Sequence, residues 1–219
     1  MASKKLTQAE KIALKLRKMI ILKELHAGER INQEMVSKRF GVSKIPLREA
    51  LKILEAEGLV VSEPYKGSFV GHITTDYIQE TFFLRSVLEG ISCSQATPRF
   101  DEQSLFNLEQ ILVRTDEVLR KKDYEHFIRC AEAFHDYIHE FSGYKRLTLM
   151  IHNLNTRSLA LNINPKEQCQ KSLDEHVFIF EKIRKKDPEG AGNAMRMHLQ
   201  RAGMDAVREW TKTRGAQVK

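Results

Sequence analysis

A proline fixes where one helix of this chain must begin. The stretch "FGVSKIPLREALKILEAEGLV", residues 40–60, places Pro46 directly before Leu47, Ala50, Leu51 and Leu54, which recur at helical spacing. A proline in a helix interior costs about 3 kcal/mol. The conflict disappears if Ser43 is the N-cap, because Lys44, Ile45 and Pro46 are then the first three helical positions. Their N–H groups have no intrahelical partner, so proline loses little there, and the Ser43 hydroxyl is expected to cap the donors that remain. The helix is expected to start at Ser43 and stop at Gly58. Its buried stripe is Leu47, Ala50, Leu51 and Leu54. Arg48, Lys52 and Glu55 form the opposite face.

The flanking sequence supplies a frame for that helix. A first helix carries apolar residues at Ile12, Leu16, Met19 and Ile20 and ends near Leu25, with Lys11, Lys15, Arg17 and Lys18 largely off the stripe. After a turn at Gly28, Asn32 caps a short helix that Gly41 ends. Two short strands over 59–62 and 68–73 follow, joined by a turn at "EPYKG". Three helices and a hairpin in this order make a winged helix-turn-helix, expected over residues 1–73. In a helix-turn-helix, the N-terminus of the second motif helix enters the major groove of DNA. Its dipole and free N–H groups favour phosphate. Arg48 suits a bidentate contact to guanine, and Lys44 could reach a base or a phosphate. Charge agrees: residues 1–72 hold 14 Lys and Arg against 8 Asp and Glu, and the remaining 147 residues are nearly balanced at 22 against 21.

Residues 74–219 show no convincing strand. Helical patterns cover roughly 76–97, 101–122, 124–142, 145–162, 167–186 and 188–211, with breaks at Pro98, Gly143, Pro165 and Pro188. The expected fold is mainly α: a winged helix-turn-helix followed by a six-helix bundle that binds an effector and dimerises. No apolar run approaches the roughly 18 residues that span a bilayer. The basic N-terminus lacks a signal-peptide core, so the cytoplasm is the expected location. Cys93, Cys130 and Cys169 are widely spaced without a CxxC pair, which points to reduced, packed thiols.

The segment "AGERINQEMVSKRFGVSKIPLREALKILEAEGLVVSEPYKGSFV" resembles the DNA-binding domain of the GntR family of bacterial transcription regulators. That family reads PGxxL, then LAxxxGVSRxPVREAL, then LxxxGLV and a wing with xxGxxV. Ala27 replaces the usual proline, and Met35-Val36 the common Leu-Ala. The resemblance implies that Ser43, Lys44, Pro46 and Arg48 face DNA. At the wing it implies the same for Lys66 and Gly67, with Gly67 letting the wing approach the minor groove.

Six of the eight histidines, His126, His135, His139, His152, His176 and His198, lie in the helical part. Imidazoles from three helices of one bundle can converge on a metal, but spacing alone does not single out a set. "LRSVLEGIS", "FH", "EH" and "AMRMHL" are similar to the ligand-sensing FCD domain of the FadR subfamily. That resemblance implies a divalent metal, zinc or nickel, held by His135, His176 and His198, and Arg85 as a grip for a small carboxylate effector. The family's fourth ligand is an Asp four residues before the first His. Here that position is Ala131, and Glu132 could reach in instead. Tyr144 also departs from the common Asn after Gly143.

The expected protein is a homodimeric regulator, and a repressor, binding a near-palindromic operator and answering to a small organic acid. Two alternatives are a metal-dependent helical hydrolase with a basic appendage and a regulator whose bundle only dimerises. No HExxH, GxSxG or nucleophile–base arrangement supports an enzyme.

Overall fold

The computed structural model describes residues 6–21, 24–72, 74–161 and 168–215. The chain divides into two compact units: one runs to Thr74 and takes in residues 159–161, and the other begins at Thr75 and holds the rest.

The first unit opens with α1 (Gln8–Ile21), α2 (Gln33–Phe40) and α3 (Lys44–Ala56). A reciprocal capping box starts α1: Thr7 N–H donates to Glu10, and Glu10 N–H donates to the Thr7 hydroxyl. Ile12, Leu16, Met19 and Ile20 are buried as their spacing requires. Arg17 departs from the expected cationic face. It is buried, and its guanidinium meets Glu57 at the end of α3 through Nη2 at 2.5 Å and Nε at 3.0 Å. Asn32 caps α2 by accepting from the N–H groups of Glu34 and Met35. The helix containing Pro46 buries Leu47, Ala50, Leu51 and Leu54 and exposes Arg48, Lys52 and Glu55.

Strands β1 (Val60–Glu63) and β2 (Gly67–Val70) pair antiparallel, with Val60 opposite Val70 and Glu63 opposite Gly67. The strands lie within a residue or so of the expected ranges at 59 and 68. Ile73, expected to end the second, is outside the described residues, and the pairing stops at Val70. The hairpin has a third partner. Arg30 bridges to Phe69, with Ile31 N–H donating to Ser68 O at 2.8 Å and Val70 N–H donating to Glu29 O at 2.9 Å.

The second unit contains α4 (Thr75–Ala96), α5 (Glu102–Arg120), α6 (Tyr124–Glu140), α7 (Lys145–Leu161), α8 (Cys169–Arg184) and α9 (Pro188–Gly215). Each starts and ends within a few residues of its sequence pattern. The break at Pro188 is a helix start: Asp187 Oδ1 accepts from Gly190 N–H, and proline occupies the first helical position. The core gathers Leu108, Phe127, Phe134, Ile138, Ile179, Ile183, Met195 and Leu199. Helix α4 packs along α9, and their backbones touch. A Cβ on Gly192 would sit 2.8 Å from Gly90 O, and one on Gly90 would sit 3.0 Å from Gly192 O. Only glycine permits that approach at this crossing.

Candidate nucleic-acid interface and metal centre

At the start of α3, Ser43, Lys44 and Arg48 are all exposed, and Pro46 is half-buried. Ser43 has the extended backbone of an N-cap, but its hydroxyl makes no capping bond. The expected cap is therefore absent, and the exposed first-turn N–H groups stay open to solvent or to an anion. Lys44 Nζ lies 3.3 Å from Glu34 of α2, and Lys66 Nζ lies 2.9 Å from Glu63 across the hairpin turn. Both pairs are exposed and screened by solvent, so either lysine exchanges partners easily. Arg48 and Lys52 have no carboxylate partner among the described residues. Gly67 opens β2 with φ +111°, a conformation that an L side chain rarely adopts.

The second unit brings His135 (α6), His176 (α8) and His198 (α9) together, all buried. Their donor atoms lie within 4.8 Å of one another. His176 Nε2 is 3.0 Å from His135 Nε2 and 3.1 Å from His198 Nε2. Carboxylates fix two of the tautomers. His135 Nδ1 lies 2.8 Å from Glu89 Oε2, and His198 Nδ1 lies 2.7 Å from Glu175 Oε2. Each carboxylate takes the Nδ1–H, so Nε2 of both rings carries a lone pair. Glu175 is held by Arg201, whose Nε and Nη2 donate to the same oxygen.

Burial keeps these rings neutral. It lowers His135, lowers His176 well below the usual histidine range with help from the neighbouring rings, and brings His198 to about 4. Three neutral imidazoles facing one another have too few protons for their contacts. With its proton on Nε2, His176 can donate to only one neighbour and leaves the other without a donor; with its proton on Nδ1, all three Nε2 lone pairs face one another. A cation at the common focus would satisfy all three, so the donor set fits a divalent metal. His176 Nδ1 has no hydrogen-bond partner, and the ring stacks on Phe134 at 4.7 Å between centroids.

Glu89, His135 and His139 form a second convergent group. Glu89 is already saturated: Oε2 meets His135 and, at 3.1 Å, His139 Nε2, while Oε1 accepts from Arg85 Nε at 2.7 Å. Burial would raise this carboxyl, but Arg85 and His135 outweigh that and hold it well below its usual range. The group is a scaffold for His135 and His139, with Ser92 Oγ on the other nitrogen of His139.

Glu132, expected as a longer-reaching ligand, belongs to neither convergent group. Its Oε2 is 3.8 Å from Arg85 Nη2, beyond hydrogen-bond reach, and has no hydrogen-bond partner. Burial raises its carboxyl to about 7. Ala131 packs against the hydrophobic core. Arg85 is only 3% exposed and already spans Glu89 and Glu132. The sequence places Glu89 with Arg85 in the "LRSVLEGIS" motif but gives it no role at the site, and Glu175 was missed altogether. One signal was available for Glu89: its i, i+4 spacing from Arg85.

Both parts of the chain match known protein families. Residues 8–70 match the family model "Bacterial regulatory proteins, gntR family", and residues 80–201 match the FCD domain. The chain is 31% identical over 189 residues to the HTH-type transcriptional regulator YdhC of Bacillus subtilis, covering 84% of each chain. It is 27% identical to the HTH-type transcriptional repressor RspR of Escherichia coli, over 84% of this chain and 82% of that one. The solved structure of E. coli McbR/YncC shares the fold, with a TM-score of 0.75 at 21% identity, covering 94% of this chain and all of that one. These relatives are transcriptional regulators rather than enzymes. The chain belongs to the GntR family of DNA-binding transcriptional regulators, with an FCD domain following its helix-turn-helix.

Proposed function

We propose that this regulator is a cytoplasmic repressor of the FadR type, which binds a near-palindromic operator as a homodimer and senses a small carboxylate at a metal held by His135, His176 and His198. The observation that carries the metal is the convergence of three Nε2 atoms at 3.0–3.1 Å, two of them with tautomers fixed from behind. A bound zinc or nickel would supply a Lewis-acidic position for a carboxylate oxygen. Glu89 and Glu175 orient the ligand rings, and Arg201 keeps Glu175 in place. With Ala131 in place of an anionic ligand, the site keeps more charge and more open coordination for an effector. An effector carboxylate reaches Arg85 by displacing Glu132, whose contact is long and whose carboxyl gives up its charge near neutral pH.

The repressor assignment draws on relatives named as repressors, RspR and, at 25% identity, the gluconate operon repressor of Bacillus licheniformis. No described helix is long and apolar enough to cross a membrane. Dimerisation is supported by exposed apolar residues seven apart on single helix faces: Leu84 and Ile91 on α4, and Met197 and Met204 on α9. Ala131 favours one second reading, a bundle that dimerises and binds no metal.

Metal analysis of protein purified without chelator, beside His135→Ala/His176→Ala, tests the centre. Near-stoichiometric metal in the wild type and little in the variant supports it. Equal metal in both removes the three-histidine site. Thermal shift against organic acids, with and without zinc or nickel, then separates a sensing bundle from one that only dimerises.

A further inference from the structure

Arg30 appears in no motif and has no role in the readings above, yet it occupies a defined position. The cleft between α3 and the β1–β2 hairpin encloses about 490 Å³ and is lined by Arg30, Arg48, Lys52, Glu55, Glu63 and Lys66. A neighbouring cleft of about 310 Å³ runs over Asn32 and Glu34, and the two share Arg30 and Gly67. Glu63 is already occupied by Lys66. That leaves Arg30, Arg48 and Lys52 facing the single carboxylate of Glu55. The opening therefore attracts an anion.

Arg30 is also held in place, as a solvated surface arginine would not be. Hydrogen bonds to Ser68 and Val70 tie the backbone on both sides of it to β2. Its guanidinium lies over Gly67, where a Cβ would come 3.4 Å from Nε and 3.6 Å from Nη2. Having no Cβ, Gly67 leaves open the surface on which the guanidinium lies. Arg30 is exposed and has no carboxylate partner among the described residues. A tethered, unpaired, planar donor set is what a phosphate oxygen pair requires.

We propose that Arg30 grips a backbone phosphate of the DNA strand that walls the groove entered by α3, with Gly67 as the surface beneath its guanidinium. A helix end inserted in a major groove about 12 Å wide leaves the elements beside it facing the phosphates at the groove's edge. The cleft next to α3 is such a place. The proposal rests on α3 being the element that enters the groove, and it assigns Arg30 affinity rather than sequence choice.

The test uses the full chain, a duplex selected by that chain from random sequence, and a scrambled duplex, with binding measured by fluorescence anisotropy from 50 to 200 mM salt. Arg30→Ala is expected to weaken both duplexes by a similar factor, roughly tenfold at 0.1 M salt, and to flatten the dependence of log K on log salt by about 0.9. Arg30→Lys should restore the slope and part of the affinity. Arg48→Ala should weaken the selected duplex far more than the scrambled one. An unchanged slope for Arg30→Ala overturns the assignment, as does a loss confined to the selected duplex, which would mark a base contact. If the scrambled and selected duplexes respond alike to Arg48→Ala as well, the placement of α3 fails along with it.

Discussion

Glu89 Oε2 takes the Nδ1–H of His135 at 2.8 Å from a helix 46 residues earlier in the chain, and it does so as a buried, ionised carboxylate. One side chain thus sets the tautomer of a candidate ligand and neutralises the buried Arg85. Glu89→Gln leaves Arg85 buried without its principal counter-charge, which costs about 3–5 kcal/mol. Denaturant unfolding of the metal-free protein measures this. A change below about 1 kcal/mol would mean that Glu132 alone can hold the guanidinium.

Glu175→Gln separates orientation from stability. The variant keeps an oxygen for His198 but loses the charge that Arg201 secures. Loss of such a partner behind a ligand lowers metal affinity by about 10–100-fold. Competition against a chromophoric chelator reads this directly, and an unchanged zinc affinity would detach Glu175 from the site.

In the metal-free protein, stability depends on pH in a defined direction. His135, His176 and His198 have folded values below 6.5, so the unfolded chain binds more protons in acid. Their contribution is complete above pH 6.5 and falls as pH drops below it, until about 4 for His198. Glu132 acts oppositely: raised to about 7, it favours the folded state increasingly as pH falls from 7 to 4.5. Three imidazoles outweigh one carboxyl, and each unit of pH per net proton is about 1.4 kcal/mol. Melting temperature in chelator should fall between pH 6.5 and 5, and His176→Phe should flatten the decline. A rising profile would assign control to Glu132.

Arg48→Ala should lose about 1–3 kcal/mol at a selected duplex if it contacts a guanine, with the fold intact by circular dichroism. Little change would make Arg48 a solvated cation.

Met197→Glu/Met204→Glu places two charges on an exposed apolar face of α9. Light scattering should move from the mass of a dimer towards the 25.4 kDa of one chain. A dimer that survives would place the interface elsewhere.

Local signals made most of the fold legible. Periodicity placed α1 and α3, and Pro46 with its flanking Ser43 located the start of the second motif helix to one residue. Contacts between residues far apart in sequence were not legible. Arg17 lies on the edge of its helical stripe, and the carboxylate that permits its burial comes 40 residues later. Glu175 precedes His176 but serves His198, because adjacent residues on a helix point in different directions. The three imidazoles came from resemblance rather than spacing, since ligands on three helices leave no short pattern. Arg30 was hidden because a single bridging residue has no periodicity.

The contact of Gly90 with Gly192 gives the second unit a mechanical property. Arg85 and Glu89 precede that contact on α4, and His198 and Arg201 follow its partner on α9. With backbone against backbone and no side chain between, the two helices have no compressible layer there and cannot move closer. Gly203 of α9 comes as close to Phe82 of α4, so the two helices are pinned at two levels, and the segments carrying Arg85, Glu89, His198 and Arg201 lie between the pins.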